Sequence, residues 1–130
     1  MELAVPTTQR TDLVDVTSMV EEAVPADVRT GSCTVFVPHT TAGVVVNEAE
    51  PGLLDDVGAF LERTVPWGDG YRHDEIDDNA AAHIRATLIG ESVTVPIEGG
   101  SLRLGTWQSI LFVECDGPRE RRLHVVVSEA

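Results

Sequence analysis

The chain has 130 residues, 42% hydrophobic and 24% charged, with a formal net charge of −13 at neutral pH. That length fits a single domain, residues 1–130, able to bury its own core. The acidic balance argues against nucleic acid and anionic membranes as partners, and the absence of lysine (all nine basic residues are arginines) excludes Schiff-base and P-loop lysine chemistry.

Glu2 to Gln9 alternates weakly and reads as an edge strand. Met1 to Val5 lacks the basic start and apolar run of a signal peptide. No apolar stretch approaches the roughly 20 residues of a membrane span, so a soluble cytoplasmic protein is expected. Leu13 to Val24 places Val16, Met19, Val20 and Ala23 at helical spacing, with Thr17 suited to a helix start and Pro25 ending it. Gly31 to Val37 reads as a strand, and Val44 to Asn47 as its antiparallel neighbour. Pro51 opens a helix whose buried stripe is Leu54, Val57, Leu61 and Val65, and Pro66 stops it.

Trp67 to Asp77 reads as a loop. Asp77 or Asp78 then caps a helix over Asn79 to Ile89 that stops at Gly90. Ala80, Ile84 and Leu88 form its apolar stripe; Asn79, His83 and Thr87 lie beside it at four-residue spacing. From Ser92 the chain reads all-β. Val93, Val95 and Ile97 alternate before the turn Glu98-Gly99-Gly100, and Leu102 and Leu104 follow on one face. Ile110 to Cys115 and Leu123 to Val127 flank the turn Asp116-Gly117-Pro118. Strands, then helices, then strands predict an α+β fold with antiparallel sheets packed against few helices. Cys33 and Cys115 sit in strand-like runs without metal spacing, as buried reduced thiols do.

The chemistry centres on Pro38-His39-Thr40-Thr41, a polar insert between the β-branched runs Thr34–Val37 and Val44–Val46. Pro38 removes a backbone donor and Gly43 loosens the backbone, so the ladder should break there and aim His39, Thr40 and Thr41 into a pocket. Asn47-Glu48 ends the second run. The pair is either a turn, or a set of partners that orient His39, or a general acid/base carboxylate. His73 and His83 are separated by Asp74, Glu75, Asp77 and Asp78, a donor set suited to zinc. The bland alternative is a solvated His73 and a His83 that packs on its helix. His124 alternates within a strand and reads as a sheet histidine. Trp107-Gln108 fills a core gap or else offers an aromatic wall and an amide to a flat ring. Arg119, Arg121 and Arg122 form either a solvated turn or an anion clamp. No nucleophile triad is legible.

Taken together, these stretches resemble the YjbQ family, often labelled secondary thiamine-phosphate synthase. The matching segments run from Pro38-His39-Thr40-Thr41-Ala42-Gly43 and Asn47-Glu48 through Thr64-Val65-Pro66, Tyr71-Arg72-His73, Asp78-Asn79 and His83-Ile84. They continue through Leu88-Ile89-Gly90-Glu91-Ser92 and Gly105-Thr106-Trp107-Gln108 to Asp116-Gly117-Pro118-Arg119, covering about residues 2 to 128. The resemblance implies a sandwich-like α+β fold with two to three helices, a homotrimer, and a histidine-lined pocket near a subunit interface that holds a metal in some members.

The label implies an enzyme that joins a hydroxymethylpyrimidine diphosphate to a thiazole phosphate and expels diphosphate. His39, His73 and His83, helped by Glu75 or Asp78, would then hold a divalent metal, zinc by its imidazole ligands or magnesium if diphosphate is the substrate. Trp107 and Gln108 would face the ring, and Arg119 and Arg121 would bind phosphate, with Thr40, Thr41, Asn47 and Asn79 around the substrate. Two other readings stay open. One is a metal-dependent hydrolase of a small phosphorylated or acyl compound, with Glu48 or Glu75 as base. The other is a non-catalytic trimer that binds a metal or small ligand.

Overall fold

The computed structural model describes residues 1–130. The order is β1 (Glu2–Pro6), β2 (Asp12–Asp15), α1 (Thr17–Ala23), β3 (Thr30–Phe36), β4 (Ala42–Asn47) and α2 (Pro51–Thr64). It continues with a 3₁₀ turn (Arg72–Glu75), α3 (Ala80–Ile89), β5 (Ser92–Glu98), β6 (Ser101–Leu102), β7 (Ser109–Glu114) and β8 (Glu120–Glu129). Every strand pair is antiparallel. One sheet has five strands in the order β1-β8-β3-β5-β6; the other has three, β2-β7-β4. The fold is therefore the expected α+β arrangement of antiparallel sheets with three helices.

The two sheets face each other over one core. Val5, Cys33, Val35, Val95, Ile97, Leu123 and Val125 enter it from the larger sheet, and Val44, Ile110 and Phe112 from the smaller. Val20 of α1 closes one end. The outer face of the small sheet is buried too: Val113 and Cys115 pack on Leu61 of α2 and Ala82 of α3. β7 is thus covered on both sides, which is why Ile110 to Cys115 is nearly continuous in apolar residues instead of alternating. Both cysteines are buried and unpaired, as expected.

Several local expectations are corrected. Val44 to Asn47 does not pair with the strand before it. β4 pairs with β7, Val44 opposite Phe112, while β3 lies between β5 and β8 in the other sheet. The Pro38 break carries the chain from one sheet to the other. Leu13 and Val14 belong to a strand, opposite Val113 and Phe112, and the helix begins only at Thr17. Thr17 Oγ1 accepts the Ile110 N–H at 2.8 Å, which anchors that helix start to β7.

Two members of the expected α3 stripe, Ile84 and Leu88, face solvent, while the third, Ala80, is buried as expected. Ile84 is 37% and Leu88 63% exposed, while Ala80, Ala81, Ala82 and Ala86 are buried. Small side chains let α3 lie close on β4. The approach is so tight that a Cβ on Gly43 would sit 2.4 Å from the Gly90 carbonyl oxygen.

Candidate functional site

The site lies where α3 crosses the break between β3 and β4. Two backbone bonds fasten the end of α3 there: Val37 N–H donates to Glu91 O at 2.7 Å, and Val44 N–H to Gly90 O at 3.1 Å. Gly90 takes φ 92°, a left-handed backbone that favours glycine at a helix end. At the other end the Ala80 N–H donates to Asp74 Oδ1 at 2.9 Å. Asp74 is thus the helix cap in place of the expected Asp77 or Asp78; Asp77 Oδ1 instead accepts the N–H of Asp78.

This placement opens a cleft of about 330 Å³ lined by His39, Thr40 and Ala42 on one side and His83, Ala86, Thr87 and Glu91 on the other. Thr87 Oγ1 donates to the His83 carbonyl at 2.8 Å, leaving the hydroxyl free to accept. Behind the cleft, His73 meets His83 edge to face, with ring centroids 4.7 Å apart and planes at 72°. His39 is half-buried, and its Nε2 accepts the Arg122 N–H at 2.9 Å. That bond puts the proton of the neutral ring on Nδ1. Burial, then the Arg121 charge, lower the His39 pKa below its ordinary value, with Glu114 opposing.

Beneath the His39 segment lies a buried charge network. Glu114 accepts from Arg121 through both oxygens, from Thr7 Oγ1 at 2.8 Å and from the Asp116 N–H at 3.0 Å. Burial alone would push the Glu114 carboxyl up; the Arg121 hydrogen bonds and charge, with the Asp116 and Thr7 donors, outweigh it and hold the group below the usual range. Arg121 Nη2 also donates to Thr41 Oγ1 at 2.8 Å. Arg121 and Thr41 are therefore internal partners, spent on holding the chain next to His39. Arg119 remains half-exposed, tied to Asp116 by Nε to the carbonyl at 2.7 Å and Nη2 to the carboxylate at 3.0 Å. Asn79 Nδ2 donates to the same carboxylate at 3.0 Å, while its buried Oδ1 has no partner. Asn79 stands one helical turn before His83, and its bond to Asp116 ties the start of α3 to the turn after β7.

Other sequence candidates stand elsewhere in the chain. Asn47 and Glu48 close the far end of β4, roughly 17 Å along the strand from Ala42. Glu48 N–H donates to Asn47 Oδ1 at 2.8 Å. Trp107 is 74% exposed in the turn before β7, and Gln108 Oε1 accepts the Gly105 N–H at 2.8 Å. Glu75 is exposed on the 3₁₀ turn beside His73. His124 sits on β8 with Nε2 2.9 Å from Glu2 Oε2. Sequence reasoning named Asp74 only as a possible metal donor, not as the helix cap, and gave no role to Glu91, Glu114 or Asp116. Glu114 alone carried a signal: an acid inside an apolar run must have a partner.

A divalent metal implied by the resemblance meets a poor donor set. No three His, Cys, Asp or Glu side chains form a group able to hold an ion, and the free lone pair of His39 is engaged by a backbone N–H. The chemistry available in the cleft is hydrogen bonding and proton transfer by imidazole, beside two hydroxyls and the Glu91 carboxylate.

A family model described as "UPF0047 protein YjbQ-like" matches residues 1–130. A UPF0047 protein of Archaeoglobus fulgidus is 53% identical, covering 96% of this chain and 98% of its own. The Bacillus subtilis UPF0047 protein YugU is 37% identical, covering 95% and 94%. Among solved structures, a hypothetical protein of Aeropyrum pernix K1 superposes with a TM-score of 0.96 at 44% identity, covering 100% of this chain and 98% of that one. A protein of unknown function from Sulfolobus solfataricus P2 gives 0.96 at 39% identity, covering 100% and 96%.

Proposed function

The chain belongs to the YjbQ-like UPF0047 family, and from that premise we propose that the His39–His83 cleft is the substrate site of a thiamine-phosphate synthase-like transferase. The reaction joins a hydroxymethylpyrimidine diphosphate to a thiazole phosphate. The pyrimidine's bond to diphosphate breaks, the electron pair leaves with diphosphate, and the thiazole nitrogen takes its place. The observation that supports this reading is that His39 and His83, far apart in the chain, face one cleft among hydroxyls.

His39, with Nδ1 carrying the proton, is a donor to an anionic leaving group. His83 is the second imidazole, held edge-on by His73. Thr40 and Thr87 orient substrate, and Arg119 binds phosphate beside Asn79. In a chain of net charge −13 the diphosphate needs a divalent counter-ion, which enters with it as a magnesium complex. In this reading the protein is a cytoplasmic homotrimer. Exposed Trp107, Leu88 and Val126 offer apolar contact surface, and Trp107, Gln108, Asn47 and Glu48 reach a cleft only from a neighbouring copy.

The test supplies both precursors and Mg²⁺ to the purified protein and follows thiamine phosphate and diphosphate by chromatography. Product is expected from the unmodified chain and not from His39→Ala or His83→Ala. Absence of product, or product that survives His83→Ala, overturns the reading. Phosphate released from one precursor alone would point instead to a hydrolase. Binding without turnover would leave a non-catalytic ligand-binding module.

A further inference from the structure

Away from the histidine cleft, Arg85 projects from α3 to the C-terminal end of α2. It is 2% exposed, the most deeply buried arginine of the chain. Its Nε and Nη2 donate to the Val65 carbonyl at 3.1 and 2.9 Å, and Nη1 donates to Thr11 Oγ1 at 3.2 Å. No carboxylate oxygen lies within 4.0 Å of this guanidinium. The contrast with Arg121 is direct: that buried arginine has Glu114. A buried charge without a counter-charge is costly, and a carbonyl at a helix C-terminus supplies only a partial negative charge.

A second guanidinium stands beside it. Arg10 Cζ lies 4.2 Å over the Trp67 ring and Arg85 Cζ lies 5.8 Å from the same ring centroid. Arg10 also forms no ion pair. The two arginines, Trp67, Pro66 and Glu62 line a cleft of about 310 Å³. Three of the five N–H groups of Arg85 are engaged, which leaves one on each terminal nitrogen. Two neighbouring guanidinium N–H groups match the paired oxygens of a carboxylate or a phosphate. Glu62 sets a negative rim that opposes any anion and favours one compact enough to pass it.

We propose that this cleft is an anion-binding site, separate from the His39–His83 cleft, which takes a small oxyanion group between Arg10 and Arg85 against Trp67. The anion supplies the counter-charge that Arg85 lacks. Because the chain as a whole repels anions, selective binding here reports the local arrangement and not bulk charge.

The experiment titrates the intact protein with inorganic phosphate and, in a parallel arm, acetate, while thermal unfolding is followed against sodium chloride of equal ionic strength. A saturable rise in Tm above the chloride control is expected from at least one oxyanion; the arm that gives it names the group as phosphoryl or carboxylate. Arg10→Ala removes an exposed side chain, keeps the fold, and weakens binding by roughly tenfold or more, the loss of one charged hydrogen bond. Glu62→Gln tightens it. Arg85→Lys keeps the charge but loses the fork, and binds more weakly than the unmodified chain. His83→Ala leaves the titration unchanged. The proposal is overturned if neither oxyanion stabilises beyond chloride, if Arg10→Ala and Glu62→Gln titrate like the unmodified chain, or if His83→Ala abolishes the effect.

Discussion

Replacing Arg121 by methionine removes one half of the buried pair beneath the His39 segment. The side chains of Arg121 and Glu114 are 6% and 0% exposed, so solvent cannot take over the partner's charge. Glu114 would keep only the Thr7 hydroxyl and the Asp116 N–H, two neutral donors for a full carboxylate. Breaking a buried pair in this way costs about 3–5 kcal/mol. At about 2.1 cal/mol/K per residue over 130 residues, the unfolding entropy is roughly 0.27 kcal/mol/K, so the melting temperature should fall by about 11–18 °C. Urea unfolding of Arg121→Met, Glu114→Gln and the double variant forms the cycle. The double variant should cost less than the two single losses combined, because it leaves no unpaired charge. A second readout is independent of stability. The Arg121 charge is among the causes that lower the His39 pKa, so an NMR titration should find it raised in Arg121→Met. A loss below about 1 kcal/mol, the range of an exposed pair, with an unmoved His39, would refute the reasoning.

Protonation should weaken the fold in two steps. His39 and Glu114 both have folded pKa values below their ordinary 6.5 and 4.5, so each contributes stability above those values and loses it as pH falls through the folded one. Urea midpoints measured against pH should therefore decline below 6.5 in the parent and not in His39→Gln within that upper window; identical curves would count against it. Gly43→Ala puts a Cβ 2.4 Å from the Gly90 carbonyl, so it should cost about 1–3 kcal/mol and displace α3 from β4. An alanine variant that melts like the parent would show that the approach is loose. Burial raises the Cys33 thiol and pushes Cys115 up to about 12. Ellman's reagent should label neither in the native protein, and labelling in urea should track unfolding. A thiol that reacts at once in native buffer would contradict that burial.

Much of the fold could be read from period and punctuation, because those signals are local. Pro51 and Pro66 bound α2, Gly90 ends α3, and Gly99 and Gly100 turn β5 into β6 with φ of 60° and 81°. What could not be read was set by contacts between distant segments. Leu13 sits at helical distance from Val16 and Val20, and only pairing with β7 selects the strand. Val44 to Asn47 is apolar enough to pair with several strands, so proximity in the chain suggested β3, whereas packing between the sheets assigned β7.

The same division runs through the site. The strand break at Pro38 and the four-residue spacing of Asn79, His83 and Thr87 were visible, and the cleft uses His39, His83 and Thr87. The depth of that cleft was not visible, because it depends on what faces inward. Ile84 and Leu88 carry the stronger apolar signal, but a helix seated on them would stand off β4 by the length of a leucine. Seated on Ala82 and Ala86, it comes near enough for Gly90 to accept from Val44 and for His83 to share a cleft with His39. The helix thus leaves its larger apolar side chains in solvent in exchange for close approach. Exposed bulk on one face and alanine on the other are one device, and the small residues, more than the histidines themselves, determine that the two imidazoles line one cleft.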